Sequence, residues 1–357
     1  MALTRGLETS WYNRRMSKKT ATSASHTASD TGAQAGATML VATGSTQQEM
    51  RVRAAWLYYV EGHNQADTAR ILGVNRLQVT RLLADARKRG EIKIKIDSEL
   101  ESVVATQREI ERTFSVSRAI LCPATGDADN QNKSISLAAG LYMSEVVASN
   151  MTIGVGWGST LYSALPHITG RDLQNVRVIS LLGGIAEARR YNPAEFAWQF
   201  AERFNGEGFL VPAPALVDSK STRQALLEQC GINQIFEHAN ALDIAFISAG
   251  GIQSLNTSYR VGHLSEAERA SLQQNGAVGD ILYNFIDIDG NLVEHPVNDR
   301  SISVTLDQLR RTDNLVLISG GVNKVDVLYA SLKTLKPAVF ITDERTAESL
   351  LALHQSQ

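Results

Sequence analysis

The chain has 357 residues, which allows two or three domains, and its 35 basic and 37 acidic residues nearly balance. Cys122 and Cys230 are far apart and lack metal-ligand spacing, which argues against a disulfide framework or a zinc site. No apolar run approaches the roughly 20 residues that span a bilayer. We therefore expect a cytoplasmic protein without membrane contact, metal or cofactor.

Residues 1–47 differ in composition from the rest of the chain. They are rich in Ser, Thr, Ala and Gly and contain few large apolar residues. Such a segment cannot bury enough surface to offset the entropy of ordering it, so we predict a disordered, weakly basic tail. Its scattered Arg and Lys faintly resemble a transit peptide, but the apolar core of a secretory signal is missing.

Residues 64–90 have the pattern of two short helices joined by a tight turn. Asn64 is suited to cap the first helix, and Asn75 to cap the second. Gly73 can adopt the left-handed conformation that ends a helix. Helical spacing predicts two sets of inward residues, Ala66, Ala69 and Leu72 in the first helix and Val79, Leu82, Leu83 and Ala86 in the second.

Polar side chains at the start of the second helix favour DNA binding. In a helix-turn-helix this part of the second helix enters the major groove, where Arg pairs with guanine and Gln with adenine. The candidate DNA-binding residues are Gln65, Asn75, Arg76, Gln78, Thr80, Arg81, Arg87 and Lys88. The alternative is an ordinary three-helix packing domain with a solvated basic face.

Residues 91–97 read EIKIKID, in which Ile and Lys alternate. A period of two with one apolar and one basic face predicts a half-buried strand, suited to a wing along the DNA backbone. Residues 49–97 carry ten Lys and Arg against six acids, a net charge of +4, whereas the whole chain has −2. This concentration of positive charge supports phosphate binding and predicts a DNA-binding domain at 48–97.

Residues 98–114 form the next predicted element, an amphipathic helix. Its apolar face has two interpretations, namely packing on its own domain or service as a linker or dimer helix. From residue 118, apolar strands alternate with helices, which predicts an α/β domain at 115–357 with a mostly parallel sheet. The predicted strands are 119–122, 152–155, 177–182, 208–211, 244–249, 278–285, 315–320 and 338–342. The predicted helices are 133–148, 193–204, 221–228, 264–273, 325–334 and 343–353.

Glycines and polar residues follow several of these strands, where ligands bind in parallel sheets. The strand at 152–155 runs into GWGST, whose glycines allow close approach and whose hydroxyls and helix N–H groups could hold an anion. Asp280 in an apolar strand is costly unless paired or bonded to a ligand hydroxyl. The candidate effector-binding residues are Gly156, Trp157, Gly158, Ser159, Thr160, Gly184, Ser248, Gly250, Asp280 and Lys324.

Each of these candidates also has a purely structural interpretation. The GWGST segment could be a tight strand-to-helix turn capped by a hydroxyl. Lys324 could be a surface lysine on a helix. Asp287, Asp289 and Gly290 fit a turn rather than a calcium loop, because the segment is too short.

The chain resembles the SorC family of transcriptional regulators from about Arg51 to Leu351. The motifs that carry the resemblance, in order, are QADTARILGVNRLQVTRLLADARKRGEIKIKI, VGWGSTL, GAVGDILYNFIDIDG, SGGVNKVDVLYASL and ITDERTAESLL. The resemblance implies an N-terminal winged helix-turn-helix and a larger Rossmann-like α/β sugar-binding domain of the sugar-phosphate isomerase and deaminase type. It also implies that Gly158, Ser159 and Thr160 bind the effector's phosphate or terminal oxygens, and that Asp280 and Lys324 line the pocket.

These observations predict a sugar-responsive regulator of a carbohydrate or polyol catabolic operon. Its partners would be double-stranded operator DNA, a sugar, polyol or sugar-phosphate effector, and further copies in a homodimer or homotetramer. The alternative is an isomerase- or deaminase-type enzyme fused to a DNA-binding domain. The segment 247–255 is similar in position to a loop that carries an acid and a histidine in related enzymes. This segment has neither residue, so no acid–base pair is visible and we expect no enzymatic activity. A third possibility is a structural DNA-binding protein without a small ligand.

Overall fold

A computed structural model describes residues 45–92, 101–124, 128–185, 192–252 and 264–357. The chain divides into two compact units, Met1–Lys95 and Ile96–Gln357. Most of the predicted tail, residues 1–44, and the basic strand from residue 93 onward lie outside the described residues. Within the described ranges, no helix is both long and apolar enough to cross a membrane.

The first unit is helical in its described part. Its elements are α1 (Ser45–Ala55), a π-helical turn (Trp56–Val60), α2 (Gln65–Leu72) and α3 (Arg76–Lys88). The small apolar core of this unit consists of Ala54, Ala69, Val79 and Leu83. The helix α1 begins within the last three residues of the predicted tail.

The ends of α2 and α3 confirm the predicted caps. Asn64 Oδ1 accepts from the backbone N–H groups of Ala66 and Asp67, both at 2.9 Å. Gly73 has φ 67°, in the left-handed region that ends a helix at little cost for glycine. Asn75 Oδ1 accepts from Gln78 N at 2.8 Å, so the capping prediction for α3 is also confirmed.

The buried faces agree with the prediction in α3 and differ in α2. Val79, Leu83 and Ala86 are buried and Leu82 is half-buried, as predicted. In α2, however, Ala66 is exposed and Thr68 is buried beside Ala69. Thr68 can be buried because its hydroxyl donates to Asn64 O at 2.9 Å, a local bond that apolar periodicity does not predict.

The second unit contains a seven-stranded sheet in which every neighbouring pair of strands is parallel. The mostly parallel sheet is therefore confirmed. Its strands are β1 (Arg118–Cys122), β2 (Thr152–Val155), β3 (Arg177–Gly184), β4 (Glu207–Pro214), β5 (Ile244–Ile247), β9 (Leu315–Ile318) and β10 (Val339–Asp343). Their order across the sheet is β1-β10-β9-β5-β2-β3-β4. The helices are α4 (Glu101–Phe114), α5 (Ala128–Val146), α6 (Ser159–Ala164), α7 (Pro193–Arg203), α8 (Lys220–Glu228), α9 (Ile232–His238), α10 (Glu266–Gln274), α11 (Leu306–Arg310), α12 (Val325–Leu335) and α13 (Glu344–Ser356).

A second, three-stranded antiparallel sheet corrects two predicted strands. It consists of β6 (Ala249–Gly251), β7 (Gly279–Ile281) and β8 (Asn284–Ile286). The strand predicted at 244–249 therefore ends earlier and is followed by a separate strand. The strand predicted at 278–285 is a hairpin whose turn is Leu282–Tyr283, two residues that give no turn signal in the sequence.

The parallel sheet is buried on both faces, since β5 and β9 have no exposed residue. Helix α4 contacts β1 and α13 within the same unit. Its residues Ile110 and Phe114 are buried, and the rings of Phe114 and Tyr329 pack edge to face with 5.8 Å between centroids. Packing on its own domain is thus observed for this helix.

The two cysteines differ in environment, which gives a direct test of this core. Cys122 is buried at the end of β1, and burial raises the pKa of its thiol to about 12, whereas Cys230 is exposed. Because the thiolate is the reactive form, we expect a maleimide at neutral pH to label Cys230 alone in the native protein and both cysteines after unfolding. Mass spectrometry of the labelled peptides measures this, and rapid native labelling of Cys122 would contradict the packing described.

Candidate functional site

The strand order of the parallel sheet has a switch point next to β2. From β2 the chain continues to β3 and β4, which lie on one side of β2 within the sheet. The later strands β5, β9 and β10 lie on the other side of β2. The direction of winding therefore reverses between β2 and β5. In open α/β sheets, ligands bind at the carboxyl ends of the strands at such a switch point.

The glycine loop after β2 lies at this switch point. Gly156 N donates to Phe246 O of β5 at 2.8 Å. Gly158 has φ 128°, and a Cβ added there would lie 3.9 Å from Cβ of Ser248, the residue after β5. The predicted loop and Ser248 are thus brought together across the two central strands.

Ser159 and Thr160 begin the short helix α6 and differ in accessibility. Ser159 is half-buried, whereas Thr160 is buried and its carbonyl accepts from Ser136 Oγ at 2.9 Å. Ser159 is therefore the more accessible of the two predicted hydroxyl ligands. The roles of both in effector binding stay a prediction.

Asp280 is buried on β7, directly opposite Gly250 of β6. A Cβ at Gly250 would lie 2.5 Å from Asp280 Oδ1, so the absence of a side chain there makes room for the carboxylate. Asp280 Oδ2 accepts from the backbone N–H of Tyr283 at 3.0 Å. This bond fixes the orientation of the carboxylate.

Lys324 lies beside Gly251, the residue of β6 that follows Gly250. Its Cγ would be 3.6 Å from a Cβ added at Gly251, and its Nζ donates to Oγ of Ser319, the residue after β9, at 3.4 Å. Burial lowers the pKa of the Lys324 ammonium, and the negative charge of Asp280 opposes this shift. A half-buried cation and a buried anion, which can bind phosphate and hydroxyl groups respectively, therefore lie near each other.

The turn between β7 and β8 is a feature that sequence reasoning missed. Leu282 and Tyr283 have φ 53° and 60° and are both buried, although bulky residues rarely adopt positive φ. Each such residue costs about 1–3 kcal/mol, and surrounding contacts must hold it in place. Asn284 Nδ2 helps to do so, since it donates to Ile281 O at 2.9 Å and to Val304 O at 3.2 Å.

This turn packs against the glycine loop. The Tyr283 ring stacks on Trp157, with 5.3 Å between centroids and 17° between planes. Leu282 Cδ2 would lie 2.9 Å from a Cβ added at Gly156, so a larger residue at 156 would displace the turn. Trp157 is thereby buried, and Tyr283 occupies one face of its indole ring.

Three further predictions for this unit concern Gly184, the loop at 247–255 and the turn at Asp287. Gly184 ends β3, on the side of β2 away from β5, and a Cβ added there would lie 3.6 Å from Asn192 Oδ1. The loop at 247–255 is described only as far as Ile252. The predicted turn at Asp287 is confirmed, since its Oδ1 accepts from Asp289 N at 3.0 Å.

The candidate DNA-binding residues of the first unit lie on α3 or next to it, on what we call the exposed surface around α3, and all but Gln65 are exposed. Gln65 Oε1 accepts from Arg76 Nε at 3.4 Å and from Thr80 Oγ1 at 3.3 Å, which joins the start of α2 to α3. Arg87 donates to the Tyr59 hydroxyl. The residues of this surface that are exposed are Asn75, Arg76, Gln78, Thr80, Arg81, Arg87 and Lys88.

Gln78 has a structural role that the sequence reasoning did not include. Its Oε1 accepts from Asn75 N at 3.0 Å and completes a capping box at the start of α3. Recognition of adenine needs both the oxygen and the nitrogen of the amide. In the structure described here the oxygen of Gln78 is engaged in the cap.

The model of the sugar-binding domain family Sugar-bind matches residues 98–352, which include the whole parallel sheet. The deoxyribonucleoside regulator of Bacillus subtilis is 30% identical over 307 residues, covering 85% of this chain and 98% of that protein. The chain belongs to the SorC family of sugar-binding transcriptional regulators. The transcriptional regulator LsrR of an Enterobacter species is also 30% identical, over 86% of this chain and 94% of its own length.

Other family members extend the comparison in sequence and fold. The erythritol catabolism regulatory protein EryD of Brucella abortus is 25% identical over 304 residues, with 85% of this chain and 96% of that protein covered. The full-length sorbitol operon regulator SorC of Klebsiella pneumoniae superimposes with a TM-score of 0.66 at 24% identity, over 86% of this chain and 99% of that one. These relatives are transcriptional regulators and not enzymes.

Proposed function

We propose that this SorC-family member regulates a carbohydrate or polyol catabolic operon by binding operator DNA through residues 48–97 and a small effector at the switch point of its larger domain. The observation that carries the proposal is that Asp280 and Lys324 lie beside the consecutive residues Gly250 and Gly251 of β6, and that the turn following Asp280 packs on the loop at 156–158. A carboxylate accepts from sugar or polyol hydroxyls, and an ammonium group attracts a phosphate.

The names of the relatives agree with a hydroxyl-rich effector. Two are regulators of a sorbitol operon and of erythritol catabolism, both polyols, and another is a deoxyribonucleoside regulator. A sugar, a polyol or a sugar phosphate fits this set. The effector would shift the protein between DNA-binding and non-binding states, which requires different affinities for the two states.

We further propose that the protein acts in the cytoplasm as a homodimer or homotetramer. Residues 49–97 carry a net charge of only +4, so one copy supplies few phosphate contacts. Two copies would bind a palindromic operator whose half-sites match the protein's twofold symmetry. The residues proposed to bind DNA are those of the exposed surface around α3.

A thermal-shift screen of sugars, polyols and their phosphates, followed by operator binding with each hit, tests this proposal. A ligand that binds only the native state stabilises it by about 2.7 kcal/mol at a hundredfold excess over Kd, so we expect one chemical class to raise Tm. The same compound should change operator affinity, and inorganic phosphate alone serves as the control. Hits that raise Tm without changing operator affinity, or no hit in any class, would contradict an effector role.

A further inference from the structure

An apolar side chain lies in the middle of the proposed DNA-binding surface. Leu77, the second residue of α3, is 60% exposed. A helix turns about 100° per residue, so Leu77 and Arg81, each two residues from the buried Val79, lie about 160° around the helix from it. Leu77 therefore points away from the core of its unit. It lies in the first turn of α3, which is the part of the second helix that enters the major groove in helix-turn-helix proteins.

The neighbours of Leu77 are polar and have roles of their own. Arg76 is hydrogen-bonded to Gln65, and Gln78 completes the cap with Asn75. No such bond is open to a leucine. The apolar group that the major groove presents to a protein is the C5-methyl group of thymine, which apolar side chains contact.

We infer that Leu77 reads a thymine through its C5-methyl group, and is thus a specificity-determining residue of α3. The inference rests on the proposed DNA binding and adds to it a defined base. It makes the predicted recognition surface a combination of charge and shape, with Arg81 as the polar neighbour of Leu77 one turn along the same face.

The test uses an operator selected in vitro with the full-length protein and then resynthesised with 2′-deoxyuridine at each thymine in turn. Deoxyuridine keeps the base pair and removes only the methyl group. At one thymine of each half-site we expect wild-type affinity to fall about fourfold, the value of one buried methyl group. Leu77→Ala should bind the thymine and deoxyuridine operators equally at that position.

Ile71→Ala is the matched control, because Ile71 is an exposed aliphatic residue at 47% on the preceding helix. This variant should keep the wild-type preference for thymine. If Leu77→Ala retains that preference at every position, the inference is wrong. It is also wrong if the variant changes only the oligomeric state, which would make Leu77 a contact between copies. A wild-type protein that binds no duplex DNA would overturn both this inference and the proposed function, whereas operator binding without a methyl effect would overturn the inference alone.

Discussion

Arg81→Ala is expected to weaken operator binding by about 5- to 150-fold, because an arginine contact to guanine contributes about 1–3 kcal/mol of discrimination. Arg81 is exposed on the face of α3 opposite the buried Val79, so it can reach a base edge without disturbing the core. The loss should be largest for the selected sequence and smaller for unrelated DNA. Fluorescence anisotropy with both duplexes at several salt concentrations measures it.

Arg70→Ala is the matched control for this experiment. Arg70 is another exposed arginine of the same unit, but it lies on α2 and forms an ion pair with Asp67 at 3.1 Å. Arg70→Ala removes one positive charge, as Arg81→Ala does. We therefore expect only a small loss of DNA affinity, of similar size for all DNA sequences. Equal effects of Arg70→Ala and Arg81→Ala would show that α3 attracts DNA by charge alone. Unchanged Tm in both variants would exclude unfolding as the cause.

Asp280→Ala is expected to abolish most of the effector response and to destabilise the larger domain. Loss of a hydrogen bond from the effector to a charged carboxylate costs about 1.5–3 kcal/mol, or roughly 10- to 150-fold in affinity. The backbone N–H of Tyr283 would also lose its acceptor inside the protein, which lowers the free energy of unfolding by about 1–3 kcal/mol. Ligand titration and urea denaturation measure the two effects separately.

Asp280→Asn separates the two roles of this residue. The asparagine oxygen can still accept from Tyr283 N, so the free energy of unfolding should stay close to that of the wild type. The charge is lost, so effector affinity should still fall. An Asp280→Ala protein that binds the effector as tightly as the wild type would remove Asp280 from the proposed site. An Asp280→Asn protein as unstable as the alanine variant would show that the charge itself holds the turn.

Local features of this protein were predictable from neighbouring residues. Asn64, Gly73 and Asn75 mark helix ends because their side chains or backbone freedom act within three residues of their own position. The strands of the parallel sheet were predictable because burial on both faces demands continuous apolar runs. The glycine loop after β2 was recognisable for the same local reason.

The hairpin turn at Leu282–Tyr283 was not predictable, because bulky residues at positive φ contradict local preference. Long-range contacts hold them there, including the stack of Tyr283 on Trp157, which is more than a hundred residues earlier in the chain. The placement of Asp280 and Lys324 beside consecutive glycines of β6 likewise depends on strand order and on the antiparallel pairing of β6 with β7. Residue types and short-range spacing thus indicate which groups can bind DNA or a sugar. Which of them come together depends on contacts between segments that are distant in the chain, since only packing can offset the cost of burying charges and of strained backbone.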